Sequence, residues 1–174
     1  NIIIGVTDSG LDQNHNDFQD RILTDKGIDF GGEDFNVAFI EEHGTHVGGI
    51  IAANFDGYSI TNNMHGYVYS SKLIDFRIFN NDGNLSPSYQ DLLEDIPNQL
   101  VASNALISNN SWGFIDLFVN NDLNWWNSLL SNLEFNTHYD SSIYQSYITV
   151  FSAGNDGYSE SGVLCGIPIM YPEL

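Results

Sequence analysis

Residues 43 to 53 read HGTHVGGIIAA. The stretch has the composition of a loop feeding a helix of small and β-branched side chains. With glycine and alanine on its faces, such a helix can lie close against a sheet. A histidine at its head can act as a general base, because an imidazole exchanges its proton near neutral pH. His46 follows three residues after His43, a spacing that could also hold a metal. Glycine follows His43, however, so the zinc pattern His-Glu-x-x-His is absent. His46 is therefore expected to be a packed or hydrogen-bonded structural histidine.

Upstream, Ile2 to Thr7 is a continuous apolar run, as expected of a parallel strand covered on both faces. It stops at the turn signal Asp8-Ser9-Gly10. Downstream, Lys72 to Phe79 is a second strand candidate, turned by Asn80-Asn81-Asp82-Gly83. Residues 88 to 104 show helical periodicity, with Leu92, Leu93, Ile96, Leu100 and Val101 on one face. Ser86-Pro87 suits the start of that helix, and Pro97 is placed to kink or shorten it. Leu106-Ile107 reads as a short strand, residues 122 to 146 as helical in part, and Ile148 to Phe151 as a strand. Alternating strands and helices imply a mostly parallel sheet with helices on both faces. In such folds sites form at the carboxyl ends of strands. Asp8, Ser111-Trp112-Gly113 and Gly154-Asn155 all lie just past predicted strand ends.

Composition narrows the function. The 174 residues carry 42% hydrophobic and 13% aromatic side chains, as a globular domain does. Four Lys and Arg stand against 23 Asp and Glu, a formal net charge of −19. Phosphate backbones and anionic membranes call for basic partners, so nucleic acid and membrane surfaces are disfavoured. The charge reads as a solvated surface, or as a preference for basic substrates or cations. No apolar run is long enough to span a membrane, and no signal peptide opens the chain. Cys165 stands alone, so no disulfide framework forms within these residues.

Taken singly, each motif has an ordinary structural explanation. Asp8 could cap a turn, and Ser152 to Gly157 could be a plain Asn-Gly turn. Together, VTDSGLDQNHNDF (residues 6 to 18), HGTHVGGIIAA (43 to 53), NNSWG (109 to 113) and FSAGNDG (151 to 157) resemble the subtilisin-like serine proteases (peptidase S8, the subtilases), in that family's order. The resemblance implies a three-layer α/β/α fold, with residues 1 to 174 a partial peptidase domain incomplete at both ends. It also implies a serine endopeptidase that is secreted or at the cell surface, acting on proteins or peptides through an acyl-enzyme. Asp8 then matches the aspartate that orients the catalytic histidine, His43 the general base, and Asn155 the oxyanion-hole donor. Ser111, Trp112 and Gly113 match the strand that pairs with substrate main chain. Ala153 and Gly154 match the wall of the pocket before the scissile bond. Trp112 stands where bacterial subtilisins have an aliphatic residue, either enlarging a neighbouring pocket or filling the core.

The departures are as informative. The family's nucleophilic serine lies in a Gly-Thr-Ser-x-Ala-x-Pro segment, which these residues lack. The chain opens inside a strand and is expected to be part of a longer protein, with a pro-segment and a C-terminal remainder beyond it. Without the serine there is no acyl-enzyme route, so these residues alone are expected to be inactive. The chemistry requires no cofactor. A structural calcium is expected from the resemblance at Asp17, in His15-Asn16-Asp17-Phe18, with oxygen donors Asn54, Asp56, Asn62 and Asn63 in the following loop. A rival from another class is a non-catalytic binding module on the same fold. A doubly wound nucleotide binder fails, because no Gly-x-Gly-x-x-Gly follows the first strand.

Overall fold

The computed structural model describes residues 2–32, 42–54, 65–88, 91–112 and 146–152. Five strands form one sheet: β1 (Ile3–Asp8), β2 (Ile28–Asp29), β3 (Lys72–Arg77), β4 (Ile107–Asn110) and β5 (Ile148–Phe151). Their spatial order is β2-β3-β1-β4-β5, and every pairing is parallel. β1 is thus the central strand, paired with β3 on one side and β4 on the other. The register places Val6 beside Asp75 and Asp8 beside Arg77. From β1 the chain runs on toward the β2 edge of the sheet and from β4 toward the β5 edge, so the carboxyl ends of β1 and β4 flank the crevice where such folds place ligands.

Alternation along the strands divides the core in two. Ile4, Val6 and Leu73 pack with Leu11, Phe18 and Ala52 on the face covered by α1 (His43–Ala52). Ile74, Phe76 and Ile78 pack with Leu100, Ile96, Ala105 and Tyr147 on the face covered by α2 (Ile96–Ala102). The three-layer α/β/α arrangement read from the sequence is the arrangement found. The small residues of α1 have the expected effect. A Cβ on Gly48 would lie 2.8 Å from Leu11 Cδ2 and 3.1 Å from Phe18 Cζ, so glycine sets how close the helix comes.

Local details differ from the sequence reading. β2 has two residues, too short for a periodic signal. The segment before α2 is a wide π-type turn, Asp91–Asp95. Its start is set by Ser88 rather than Ser86: Ser88 N–H donates to Asp91 Oδ2 at 2.6 Å and Asp91 N–H to Ser88 Oγ at 3.2 Å. This reciprocal pair satisfies two donors that a helix start leaves over. Ser86 N–H is instead bonded to Ile78 O at 2.9 Å, tying the chain back to the end of β3. Pro97 lies in the first turn of α2, where its missing N–H costs little. Val101 is exposed rather than part of the buried face. The helix expected within residues 122 to 146 falls almost wholly outside the described residues.

Candidate active site

Asp8 closes β1, and its carbonyl accepts Ile78 N–H at 2.8 Å. Its position at the end of a fully paired central strand leaves the side chain 2% exposed. His43 opens α1, and its side chain is 57% exposed. The Asp8 Oδ1 to His43 Nδ1 distance is 2.7 Å. A carboxylate only accepts, so Nδ1 carries the proton and Nε2 keeps a lone pair. The result is an oriented imidazole with a buried anion behind it and a free basic nitrogen in front. Such a pair can remove a proton from a nucleophile and hold the resulting imidazolium.

The turn after Asp8 is fastened to the start of α1. Ser9 N–H donates to Asp8 Oδ1 at 2.7 Å, and Ser9 Oγ accepts Gly44 N–H at 3.0 Å. Asp12 N–H donates to Thr45 Oγ1 at 2.8 Å. Gly10 turns the chain with φ 104°, a conformation open to glycine. A Cβ on Gly44 would lie 2.4 Å from Gly10 O, so the helix can begin here only without a side chain. Ser9, Thr45 and the Gly10–Gly44 contact escaped the sequence reading, because their partners lie more than thirty residues away.

Beside the pair, the end of β4 leads into Ser111 and Trp112. Asn109 Nδ2 donates to Ser111 Oγ at 3.0 Å, and Trp112 Nε1 to Asn110 Oδ1 at 3.3 Å. The Trp112 ring meets Phe151 edge-on at 6.3 Å and packs against the α2-side core. Trp112 therefore fills the edge of the core, and part of it stays accessible. The sheet brings Asp8, Ser111 and Trp112 to the same end, as the strand-end reading implied. Gly113, Ala153, Gly154 and Asn155 lie outside the described residues. His46 is exposed, not packed as expected, because its position on α1 turns away from the sheet.

At the calcium position, Asp17 and Asn54 are neighbours, with Asn54 N–H bonded to Asp17 O at 2.7 Å. Asn54 Oδ1 accepts Arg21 Nη2–H at 2.8 Å, and His15 Nδ1 lies 3.9 Å from Asp17 Oδ2. A guanidinium thus occupies the Asn54 side-chain oxygen, one of the expected donors. Among the described residues no group of three His, Cys, Asp or Glu could hold a metal. Asp56, Asn62 and Asn63 lie outside them.

No described helix is long and apolar enough to cross a membrane. A search of the curated proteins finds no match to the chain. Among solved structures, Sphericase superposes with a TM-score of 0.59 at 24% identity, over 96% of this chain and 50% of its own. A psychrophilic protease, S41, gives 0.57 at 25% identity, over 88% of this chain and 46% of its own. The epidermin leader peptide processing serine protease of Staphylococcus aureus gives 0.57 at 19% identity, over 90% of this chain and 38% of its own. The chain thus spans half or less of the length of these structures, which share its fold. The family model for the subtilases, Peptidase S8, matches residues 1–173, and the chain belongs to that family.

Proposed function

We propose that the full-length protein is a secreted or surface serine endopeptidase that hydrolyses peptide bonds through an acyl-enzyme. The observation carrying this reading is the 2.7 Å contact from the exposed His43 to the buried Asp8, at the carboxyl end of the central strand. His43 Nε2 takes the proton of a serine supplied from beyond these residues, and later returns it to the leaving amine. Asp8 holds the tautomer and stabilises the imidazolium. The Asn155 amide donates to the oxyanion as the tetrahedral intermediate forms. Ser111, Trp112 and Gly113 pair with the substrate main chain, and Ala153 and Gly154 line the pocket for the residue before the scissile bond. Water then attacks the acyl-enzyme. The acidic composition favours basic substrates. Residues 1 to 174 contain no Gly-Thr-Ser-x-Ala-x-Pro segment, and they are inactive by themselves.

The test is to extend the reading frame beyond Leu174 and treat the full-length protein with a fluorophosphonate. Labelling of a downstream serine that is lost in His43→Ala is the expected result. An extended protein that never labels would overturn the protease reading and leave a binding module on this fold.

A further inference from the structure

β3 is an apolar strand with a carboxyl buried in its middle that the chemistry above does not use. Asp75 is 1% exposed. Its Oδ2 accepts Leu11 N–H at 2.9 Å, reaching from β3 to the segment that follows β1. Its Oδ1 has no partner in hydrogen-bond geometry among the described residues, although the Gln13 side chain lies near enough to act on the carboxyl. A buried carboxyl with one oxygen left over is costly, and an apolar side chain would fill the same space without that cost. The bond to Leu11 is what an apolar residue could not provide.

That bond completes a clamp. Segment 9–12 is held on the α1 side by Ser9 Oγ with Gly44 N–H, and by Asp12 N–H with Thr45 Oγ1. Asp75 holds the same segment on the sheet side, at Leu11. Asp8 stands immediately before this segment, and His43 immediately before Gly44. A displacement of Leu11 therefore moves both partners of the 2.7 Å contact. We propose that Asp75 is a positioning residue for the Asp8–His43 pair: it braces Leu11 from β3 and so fixes the turn on which Asp8 meets His43. The inference rests on the protease reading of that pair.

Burial pushes the Asp75 carboxyl up to about 7, against the pull of the Leu11 N–H. Asp29, from β2, raises it further, while the Gln13 side chain and Arg77, on β3 itself, lower it. Neither histidine of α1, His43 nor His46, is among the groups acting on it. Near neutral pH the brace thus passes from an acid to a carboxylate, and an N–H bond to a carboxylate is the stronger of the two.

The experiment uses the full-length protein and two variants. Asp75→Val removes the acceptor with little change of volume. Asp75→Asn keeps an oxygen for Leu11 N–H but cannot ionise. The expected result is a kcat lowered on the order of tenfold in Asp75→Val at nearly unchanged KM, restored in Asp75→Asn. The low-field His43 Nδ1 proton, followed by NMR, should shift in Asp75→Val and not in Asp75→Asn. A folded Asp75→Val with wild-type kcat and an unmoved His43 line would overturn the proposal, whatever its melting temperature. Should Asp75→Val not fold, the Leu11 amide and the His43 line are titrated from about pH 5 to about pH 9. A shared inflection in the wild type that Asp75→Asn lacks is expected, and identical His43 titrations in both would overturn the brace. Absence of fluorophosphonate labelling in the wild type would remove the protease reading alone, since the His43 line still reports on the turn.

Discussion

Two carboxylate–nitrogen pairs sit side by side at the same end of the sheet, and they are built to opposite specifications. Asp8 and Arg77 are register neighbours on β1 and β3. Asp8 meets His43, whose ring is 57% exposed and keeps one nitrogen open. Arg77 is wholly buried, and its partner Asp29 is 7% exposed. The guanidinium is occupied on several sides: Nε donates to Phe79 O at 3.0 Å, Nη2 to Asn81 Oδ1 at 2.8 Å, and Nη1 lies 3.6 Å from Asp29 Oδ2. Asp29 Oδ1 in turn accepts Gly31 N–H at 2.8 Å. One pair leaves a reactive atom unspent. The other uses its donors to pin β2 and the turn after β3. Charge at a strand end is therefore a poor guide to chemistry until the remaining donors and acceptors are traced.

The sharpest way to break this contrast is to delete one member of each pair. In the full-length protein, His43→Ala should cost roughly 10⁶-fold in kcat, the scale of losing the general base of such a triad. Its stability should change little, because the ring is largely in water. A His43→Ala enzyme with more than trace turnover would end the assignment. Arg77→Met should do the reverse. It strands Asp29 and the two acceptors of the turn, and should destabilise the fold by about 3–5 kcal/mol in urea unfolding. An Arg77→Met protein as stable as wild type would mean that the buried pair holds nothing in place.

A smaller effect follows from Asp75, which shares the α1-facing side of the sheet with both pairs. Its folded value of about 7 lies above the ordinary 3.8, so between those pH values the folded state binds the extra proton. Its contribution to stability is whole below about 3.8 and is lost as pH rises to about 7. The slope should amount to a few kcal/mol at most across that window, and Asp75→Asn should remove it. Chemical denaturation at a series of pH values reads the difference between the two proteins, and equal slopes would refute it. Smallest is Gly44→Ala. Its methyl would press on Gly10 O, costing about 1–3 kcal/mol as the helix start backs away. Activity should suffer with it, because His43 is the adjacent residue.

The sequence was legible where one signal dominated. The apolar run from Ile2 to Thr7 and the small-residue helix from His43 gave elements close to those observed. The start of the helical segment was misplaced, because Ser86 and Ser88 are equally good caps in isolation. Only the tertiary bond from Ser86 to Ile78 decides between them. Asp75 and Arg77 passed without remark inside the strand read from Lys72 to Phe79, because nothing local distinguishes a brace from a solvated edge. Asp8 and His43 were paired through the family resemblance, since no local rule joins residues 35 apart. The donors that lock them, Ser9 and Thr45, act on backbone far along the chain, and sequence pattern does not carry such contacts.

The central position of β1 also sets a clock. It is the first of these strands to be made, and both of its neighbours come much later, β3 from residue 72 and β4 from residue 107. At roughly 5–20 residues per second, a ribosome needs on the order of ten seconds to go from β1 to the end of β4. Until β3 is made an apolar strand waits with both edges unpaired, and until β4 is made it waits with one. Closing such long loops before any pairing repays the cost also makes the search slow. The same arrangement that buries Asp8 between two strands makes the newborn chain dependent on whatever shields β1 until they arrive.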